Sequence, residues 1–221
     1  MSETSTQFVL ASGSPRRREM IGALGLPVRV TRVEIDETPR ADEEARAYTL
    51  RLSREKAAAA AREFPDALIL AADTTVADDG AILGKPRDKA EAWAMLRRLR
   101  GRTHQVYTAL TLWEPRSGRR VSEVARTDVP MRDYTDAEIA AYIASGDPFD
   151  KAGGYAIQHA EFRPVTLRSG CYANVMGLPL CHLVRALRAF GVAVSVDVPA
   201  LCRERFGYTC DVAERILAGD A

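Results

Sequence analysis

The chain has 221 residues, of which 47% are hydrophobic, and this combination predicts one globular domain with a sizeable core. It carries 31 basic and 30 acidic residues, so a net charge of +1 gives no global attraction to nucleic acid or to an anionic membrane. The most apolar short run, residues 67–72, is too short to cross a bilayer and residues 1–7 lack a signal-peptide pattern, so we expect a cytoplasmic protein without a membrane or nucleic-acid partner.

The first predicted unit is a strand, a tight turn and a helix. Residues 8–12 form a short apolar run that begins with β-formers. Ser14 followed by Pro15 matches a helix N-cap with proline at the first helical position. Arg16 and Arg17 then fall in the first helical turn, where each costs about 0.3–1 kcal/mol against the helix dipole. The segment by itself fits both a phosphate site and a solvated basic turn.

The rest of the chain alternates strands with helices. The predicted strands are 28–33, 67–73, 81–83, 103–113 and 120–131, and the predicted helices are 43–63, 89–99, 136–144 and 180–190. This alternation predicts an α/β fold with a mixed central sheet flanked by helices. Residues 194–221 carry no clear pattern.

An acidic residue marks the end of the most apolar strand. Asp73 follows six apolar residues, so we expect it at or just beyond the strand end, where ligands bind in open α/β sheets. A carboxylate there can activate water or hold a metal, and the same position fits an aspartate that caps a turn. Glu37 lies in a polar loop and could share a divalent metal with Asp73, because Mg²⁺ typically takes one or two carboxylates plus substrate phosphates.

All four cysteines, Cys171, Cys181, Cys202 and Cys210, lie in the last third of the chain and form no CxxC pair. Buried cysteines of this kind are common as small hydrophobic residues in reducing compartments. A zinc site built from Cys181, His182, Cys202 and Cys210 is an alternative, although the short-range ligand pairs of structural zinc sites are missing.

Several common nucleotide and hydrolase motifs are missing from the sequence. It contains no Walker A motif, no GxSxG elbow and no GxGxxG after a strand. Eight other short segments follow one another in chain order, at residues 10–17, 54–56, 72–74, 84–87, 103–106 with 108, 150–155, 157–158 and 177–179. Taken together, these segments resemble the Maf nucleotide pyrophosphatases.

This resemblance implies an elongated, two-lobed fold like that of inosine triphosphatase, with a central cleft. It implies a single Maf-like domain over residues 1–221, with a core at about 8–190 and a C-terminal extension at about 191–221. Members of the family hydrolyse nucleoside triphosphates to the monophosphate and pyrophosphate with a divalent metal. We therefore expect a nucleoside triphosphate as the partner, Mg²⁺ or Mn²⁺ as the cofactor, and a homodimer as a candidate assembly.

The resemblance also implies roles for individual residues. Asp73 is the expected general base and, with Glu37, the expected metal ligand. The residues expected to bind the triphosphate are Ser12, Ser14, Arg17, Lys56 and Lys85.

Three positions differ between two branches of the family. Arg16, Thr74 and Gln158 resemble the branch that prefers dTTP and UTP. The other branch prefers 7-methyl-GTP and carries Trp within the Ser-Pro motif and Gln after the aspartate. Residues 159–170 depart from the usual glycine-rich segment, and the tail after Phe190 extends beyond the usual end.

Three functions remain open from the sequence. The resemblance favours a house-cleaning enzyme with a link to cell-division arrest. A non-catalytic, nucleotide-sensing regulator of septum formation would use the same cleft. Nucleic-acid binding through the arginine clusters at 16–18, 97–102 and 116–120 is disfavoured by the balanced charge and the few aromatic residues.

Overall fold

The computed structural model describes residues 7–166 and 169–219. Its strands are β1 (Phe8–Ala11), β2 (Arg29–Thr31), β3 (Leu68–Asp78), β4 (Ala81–Leu83), β5 (Thr103–Glu114) and β6 (Arg119–Pro130). Its helices are α1 (Pro15–Ala23), α2 (Ala45–Glu63), α3 (Lys89–Leu99), α4 (Asp136–Ala144), α5 (Tyr172–Val175), α6 (Leu180–Ala189), α7 (Val198–Phe206) and α8 (Ala213–Ala218), with 3₁₀ turns at Asp147–Asp150 and Ala152–Gly154. No helix within the described ranges combines the length and the apolar character that a membrane crossing requires. The predicted α/β fold with a mixed sheet and flanking helices is confirmed. Residues 1–6, 167–168 and 220–221 of the predicted domain lie outside the described residues.

Side-chain caps explain where three helices begin. Ser14 Oγ accepts a hydrogen bond from the backbone N–H of Arg17, and proline occupies the first position of α1. The carboxylate of Asp88 caps α3 in the same way. Thr135 and Glu138 form a reciprocal capping box at the start of α4. The predicted starts of these three helices are therefore confirmed.

Strand β3 is paired along nearly its whole length on one side but only in two separate stretches on the other side. Its strand order is β2-β1-β3-β5-β6, with β4 added beside β3. On one side, β3 pairs with β5 along residues 69–77. On the other side, β1 runs parallel to residues 68–71 and β4 runs antiparallel to residues 76–78. Neither β1 nor β4 pairs with residues 72–75, so the sheet opens there, at the point where its strand direction changes.

Separate hydrophobic cores pack on either side of this opening. Leu68 and Leu70 face a core that includes α1 and α6. Ile69 and Ala71 point to the opposite face and pack against α2, as the alternation of a strand requires. Beyond the opening, Val76 joins a third core formed with α3 and α4. The first two cores form the first lobe and the third core forms the second lobe. Strand β3 runs through both lobes.

Two features differ from the sequence-based expectations. The third strand does not end at Asp73 but continues to Asp78, because residues 74–77 pair with residues 105–108 of β5. Residues 194–221, which carry no clear pattern, contain α7 and α8. Val198 of α7 and Ile216 of α8 are buried in the same core as α6, so the extension packs on the first lobe.

Candidate functional site

A cleft of about 290 Å³ lies at the open edge of β3. This volume is at the lower end of the roughly 300–1,000 Å³ typical of small-molecule sites. Ser12 is the single predicted site residue that does not line it. The predicted residues that do line it are Ser14, Arg16, Arg17, Glu37, Lys56, Asp73, Thr74, Lys85 and Gln158.

An ion-paired lysine joins two carboxylates at one part of the cleft. Lys56 Nζ lies 2.6 Å from Oδ1 of Asp73 and 2.7 Å from Oε1 of Glu37. Lys56 extends from α2, which covers the face of β3 on which Asp73 lies. The lysine therefore holds both carboxylates within the reach of one ammonium group.

Asp73 occupies a different position in its strand from the expected one. It lies in the middle of β3, opposite Ala109 of β5, and its side chain is buried. The expectation of a strand-end aspartate is wrong, because the β-branched residues Thr74, Thr75 and Val76 continue the pairing with β5. A ligand can still reach Asp73 because neither β1 nor β4 covers this part of β3.

Arg17 is held by three uncharged acceptors. Its Nε donates to the carbonyl oxygen of Gly177 at 2.8 Å, its Nη1 to Ser12 Oγ at 3.1 Å and its Nη2 to Thr74 Oγ1 at 2.9 Å. Burial lowers the pKa of Arg17, and the nearby charge of Asp73 opposes this shift. Arginine nonetheless stays protonated in proteins, so its fork is oriented while its charge remains available to an anion. Ser12, predicted to bind substrate, contacts Arg17 from outside the cleft lining.

Thr74 links Arg17 to two other segments. Its hydroxyl lies 3.0 Å from Thr108 Oγ1, which also donates to the carbonyl oxygen of Asn174 at 2.9 Å. Gly177, the residue that accepts from Arg17, has a φ of +104°, and a Cβ there would lie 3.2 Å from Thr74 Oγ1. The cleft lining around Arg17 and Thr74 is therefore held in place by a continuous polar network and by a backbone position that favours glycine.

Charged residues from both lobes meet at the rim. Arg16 Nη1 of α1 lies 3.5 Å from Oδ2 of Asp150. Asp150 also pairs with Lys151, a buried residue whose Nζ donates to the carbonyl oxygen of Asp147 at 2.7 Å. Lys85 is exposed on the loop after β4, next to Gly84, whose carbonyl oxygen accepts from Gly153. The rim therefore presents cations to any ligand in the cleft.

Glu37 is ionised at neutral pH despite its position at the cleft. Burial alone raises the pKa of this carboxyl group. The hydrogen bond and charge of Lys56, with the charges of Lys85 and Arg17, outweigh that effect and lower the pKa below its ordinary value. Glu37 therefore carries a negative charge, which pairs with Lys56 in this structure.

Tyr48 is a site residue that the sequence analysis missed. Its hydroxyl donates to the backbone oxygen of Glu37 at 2.7 Å and so fixes the loop that carries this carboxylate. Burial raises the pKa of Tyr48 to about 12, so the hydroxyl remains a donor. The spacing of Tyr48, Leu52 and Lys56 along α2 was an available signal, because residues four apart share a helix face.

Glu37 and Asp73 bring two carboxylates to one part of the cleft, and Mg²⁺ typically takes one or two carboxylates from a protein. In this structure the ammonium group of Lys56 lies between them. Within the described ranges no group of three or more His, Cys, Asp and Glu side chains could hold a metal on its own.

The alternative zinc site is wrong. Cys181, His182, Cys202 and Cys210 form no metal-binding group among the residues that the structure describes. Burial raises the pKa of Cys181 to about 12 and that of Cys202 to about 11. Such thiols resist the deprotonation that zinc ligation requires.

The cleft lining also includes uncharged side chains. Ile157, Val175 and Met176 contribute apolar groups, and Gln158 contributes an amide. Small-molecule sites typically combine an apolar lining with a few polar groups. The cleft therefore offers both charged and apolar groups to a ligand.

This chain is similar in sequence to a known family and to named proteins of other organisms. The family model described as "Maf-like protein" matches residues 7–190. A protein of Myxococcus xanthus (strain DK1622) named "dTTP/UTP pyrophosphatase" is 48% identical over 193 residues, which cover 87% of this chain and 96% of that protein. A protein of Syntrophus aciditrophicus (strain SB) with the same name is 45% identical over 185 residues, covering 84% and 90%. Among solved structures, a HAM1 protein from Coxiella burnetii matches with a TM-score of 0.41 and 16% identity, over 58% of this chain and 74% of that one.

Proposed function

This chain belongs to the Maf family, and we propose on that basis that it hydrolyses nucleoside triphosphates to the monophosphate and pyrophosphate. The observation that carries this proposal is the Lys56 ammonium group between Asp73 and Glu37, beside the oriented guanidinium of Arg17. The proposed base Asp73, the Glu37 carboxylate proposed to bind a cation, and the phosphate-binding guanidinium of Arg17 are therefore neighbours in the cleft. The names of the relatives support the same reaction.

The charge of the cleft matches a triphosphate. Phosphoryl-type transfer depends mainly on positioning and on neutralising charge, and a triphosphate brings about four negative charges near neutral pH. The lining contains more cations than carboxylates. The cations are Arg16, Arg17, Lys56, Lys85 and Lys151, and the carboxylates are Glu37, Asp73 and Asp150.

Asp73 is the proposed general base. Lys56 binds Oδ1 of Asp73, which orients the carboxylate and leaves Oδ2 to accept a proton. As the water oxygen attacks the α-phosphorus, its proton passes to Asp73 and pyrophosphate leaves. Arg17 and Lys85 hold the phosphate oxygens in position, and Ser14, at the N-terminus of α1, adds a hydroxyl near free backbone N–H groups.

We assign a divalent cation, Mg²⁺ or Mn²⁺, to Glu37 and Asp73. When bound, such an ion neutralises phosphate charge and lowers the pKa of a coordinated water. Tyr48 holds the backbone of Glu37, so the loop presents this carboxylate in one position. Lys56 keeps the two carboxylates close together despite their like charges.

dTTP and UTP are the proposed substrates, in agreement with the names of the relatives. Arg16, Thr74 and Gln158 all line the cleft, where residues that select a nucleotide must lie. The test measures pyrophosphate release by the purified full-length chain with Mg²⁺ or Mn²⁺, comparing dTTP, UTP, CTP and 7-methyl-GTP. We expect kcat/KM to be highest for dTTP and UTP. A preference for 7-methyl-GTP would refute the assignment to the dTTP/UTP branch of the family. Tight nucleotide binding without pyrophosphate release would favour the nucleotide-sensing regulator.

We also propose a cytoplasmic location, because the four cysteines are free thiols, as is common in reducing compartments. A homodimer and a link to cell-division arrest stay predictions from the family resemblance. Sedimentation of the purified chain tests the first, and the division phenotype of a strain that carries only the Asp73→Asn form tests the second.

A further inference from the structure

Two polar contacts fasten the C-terminal extension to the segment before α5. The backbone N–H of Gly170 donates to Oδ1 of Asp211 at 2.7 Å. The thiol of Cys210 donates to the carbonyl oxygen of Gly170 at 3.6 Å. Cys171 follows Gly170 directly in the sequence, and Cys171 and Cys210 line the same small pocket. Two thiols that are 39 positions apart in the sequence are therefore neighbours in the fold.

These two cysteines border a small apolar pocket. Its lining includes Cys171, Cys181, Cys202 and Cys210, all of which are free thiols. The pocket has a volume of about 10 Å³, which is room for about one water-sized molecule. Cys210 is partly exposed whereas the other three are buried, so a small oxidant reaches Cys210 first.

We propose that Cys210 and Cys171 are a redox modification site that forms a reversible disulfide with hydrogen peroxide. The thiolate sulfur of Cys210 attacks one peroxide oxygen, the O–O bond breaks, and hydroxide leaves with the electron pair. Cys210 is then a sulfenic acid. The sulfur of Cys171 attacks the sulfur of Cys210, the S–O bond breaks, and water leaves with the thiol proton of Cys171. In sum, two thiols are oxidised and one peroxide is reduced to two waters.

The surroundings of the two thiols assign these roles. Cys210 is partly exposed and Cys171 is buried, so the structure makes Cys210 the nucleophile and Cys171 the resolving thiol. The pKa values point in the same direction. The side chain of Cys171 lowers the pKa of Cys210, with help from the backbone N–H groups of Val212 and Ala213, against burial and the charge of Asp211. The side chain of Cys210 and burial raise the pKa of Cys171.

The cysteine pair is connected to the cleft through α5. Cys171 Sγ accepts from the backbone N–H of Asn174 at 3.4 Å and so caps α5. Asn174 and Gly177 in turn accept hydrogen bonds from Thr108 and Arg17. A disulfide brings the two sulfurs to about 2.05 Å, much closer than non-bonded thiols. We expect this approach to shift the start of α5 and to weaken the positioning of Arg17.

The first experiment tests the disulfide itself. The full-length chain is treated with stoichiometric hydrogen peroxide, digested without reduction, and analysed by mass spectrometry. We expect a peptide pair linked through residues 171 and 210, reversed by dithiothreitol, in the native chain and in the Cys202→Ser control. Cys210→Ser abolishes the link, and Cys171→Ser leaves a sulfenic acid at Cys210 that dimedone traps. A link that involves Cys181 or Cys202 instead, or no reaction at Cys210, would overturn the proposal.

The second experiment tests the connection to the cleft and rests on the proposed function. We expect KM for dTTP to rise severalfold on oxidation, to return with dithiothreitol, and to stay constant in Cys210→Ser under the same treatment. An unchanged KM in a chain that carries the verified cross-link would refute the connection. A chain that forms the cross-link but never releases pyrophosphate would refute the proposed function and leave the modification site standing.

Discussion

Lys56 of α2 and Asp73 of β3 form an ion pair of 2.6 Å within the cleft. The side chains are largely withdrawn from solvent, with exposed fractions of 14% and 10%. Removal of Lys56 would leave the buried Asp73 carboxylate without its ion-pair partner, which is costly. Removal of the Asp73 charge leaves Lys56 paired with Glu37. The ion pair orients the carboxylate of Asp73 and holds the ammonium group of Lys56 beside the part of β3 that β1 and β4 leave uncovered.

The first prediction concerns the proposed base. Asp73→Asn should lower kcat by about 10²–10⁴-fold, because the amide cannot accept the proton from water. The amide oxygen can still accept from Lys56, so we expect the fold to persist, as checked by circular dichroism. Asp66→Asn is the matched control, since Asp66 is an exposed residue in the loop before β3. Turnover by Asp73→Asn within a few-fold of the native chain would contradict the assignment.

A second prediction concerns the exposed lysine of the rim. Lys85→Ala should raise KM for a triphosphate with little change in kcat, because Lys85 contributes a point charge to phosphate binding. The salt dependence of kcat/KM should also become shallower, since one screened attraction is lost. Lys89→Ala, an exposed change in α3 outside the cleft lining, provides the control. If the two variants have equal KM values and an equal salt dependence of kcat/KM, then Lys85 does not bind the phosphates.

A third prediction separates the hydroxyl of Thr74 from its shape. Thr74→Val preserves the branched side chain but leaves Nη2 of Arg17 without that acceptor. An unsatisfied donor of this kind costs about 1–3 kcal/mol, so we expect KM to rise by about tenfold. Thr74→Ser retains the hydroxyl and should remain close to the native chain. If the valine and serine variants show the same KM, the hydrogen bond to Arg17 does not position it for substrate.

The fourth prediction concerns stability in acid. Burial lowers the pKa of His104 and of His182 from 6.5 to about 4, so both are neutral in the folded protein at pH 7. Each takes up a proton on unfolding once the pH falls below 6.5, and stability therefore falls as the pH decreases from about 6.5 to about 4. The loss should be on the order of 2 kcal/mol per histidine by pH 4.5.

Urea unfolding at pH 7 and pH 4.5 measures this loss. His104→Gln and His182→Gln should each lose less stability than the native chain between these two pH values, whatever their stability at pH 7. His104→Gln also replaces the hydrogen bond between His104 Nε2 and Tyr155 Oη, so only the difference between pH values is informative. An identical difference in both variants and in the native chain would show that neither histidine is responsible.

The sequence by itself determined most of the helices and strands, and it identified most of the residues that line the candidate site. Ser14, Asp88 and Thr135 start their helices through hydrogen bonds to residues three positions later, and such local contacts are readable from sequence. The ordered segments also identified residues that line one cleft, including Lys56 and Gln158, although no local pattern on either residue indicates a ligand.

Only the tertiary structure decided how these residues work together. Asp73 lies within β3 because β5, some 36 residues further along the chain, extends the pairing, and it is accessible because β1 and β4 leave a gap. The contacts of Arg17 with Gly177, and of Cys210 with Gly170, join positions that no local periodicity connects. Such contacts arise from the packing of distant segments, whereas helix caps and strand alternation arise from neighbours in the chain, and this difference in range separates what the sequence determined from what the fold added.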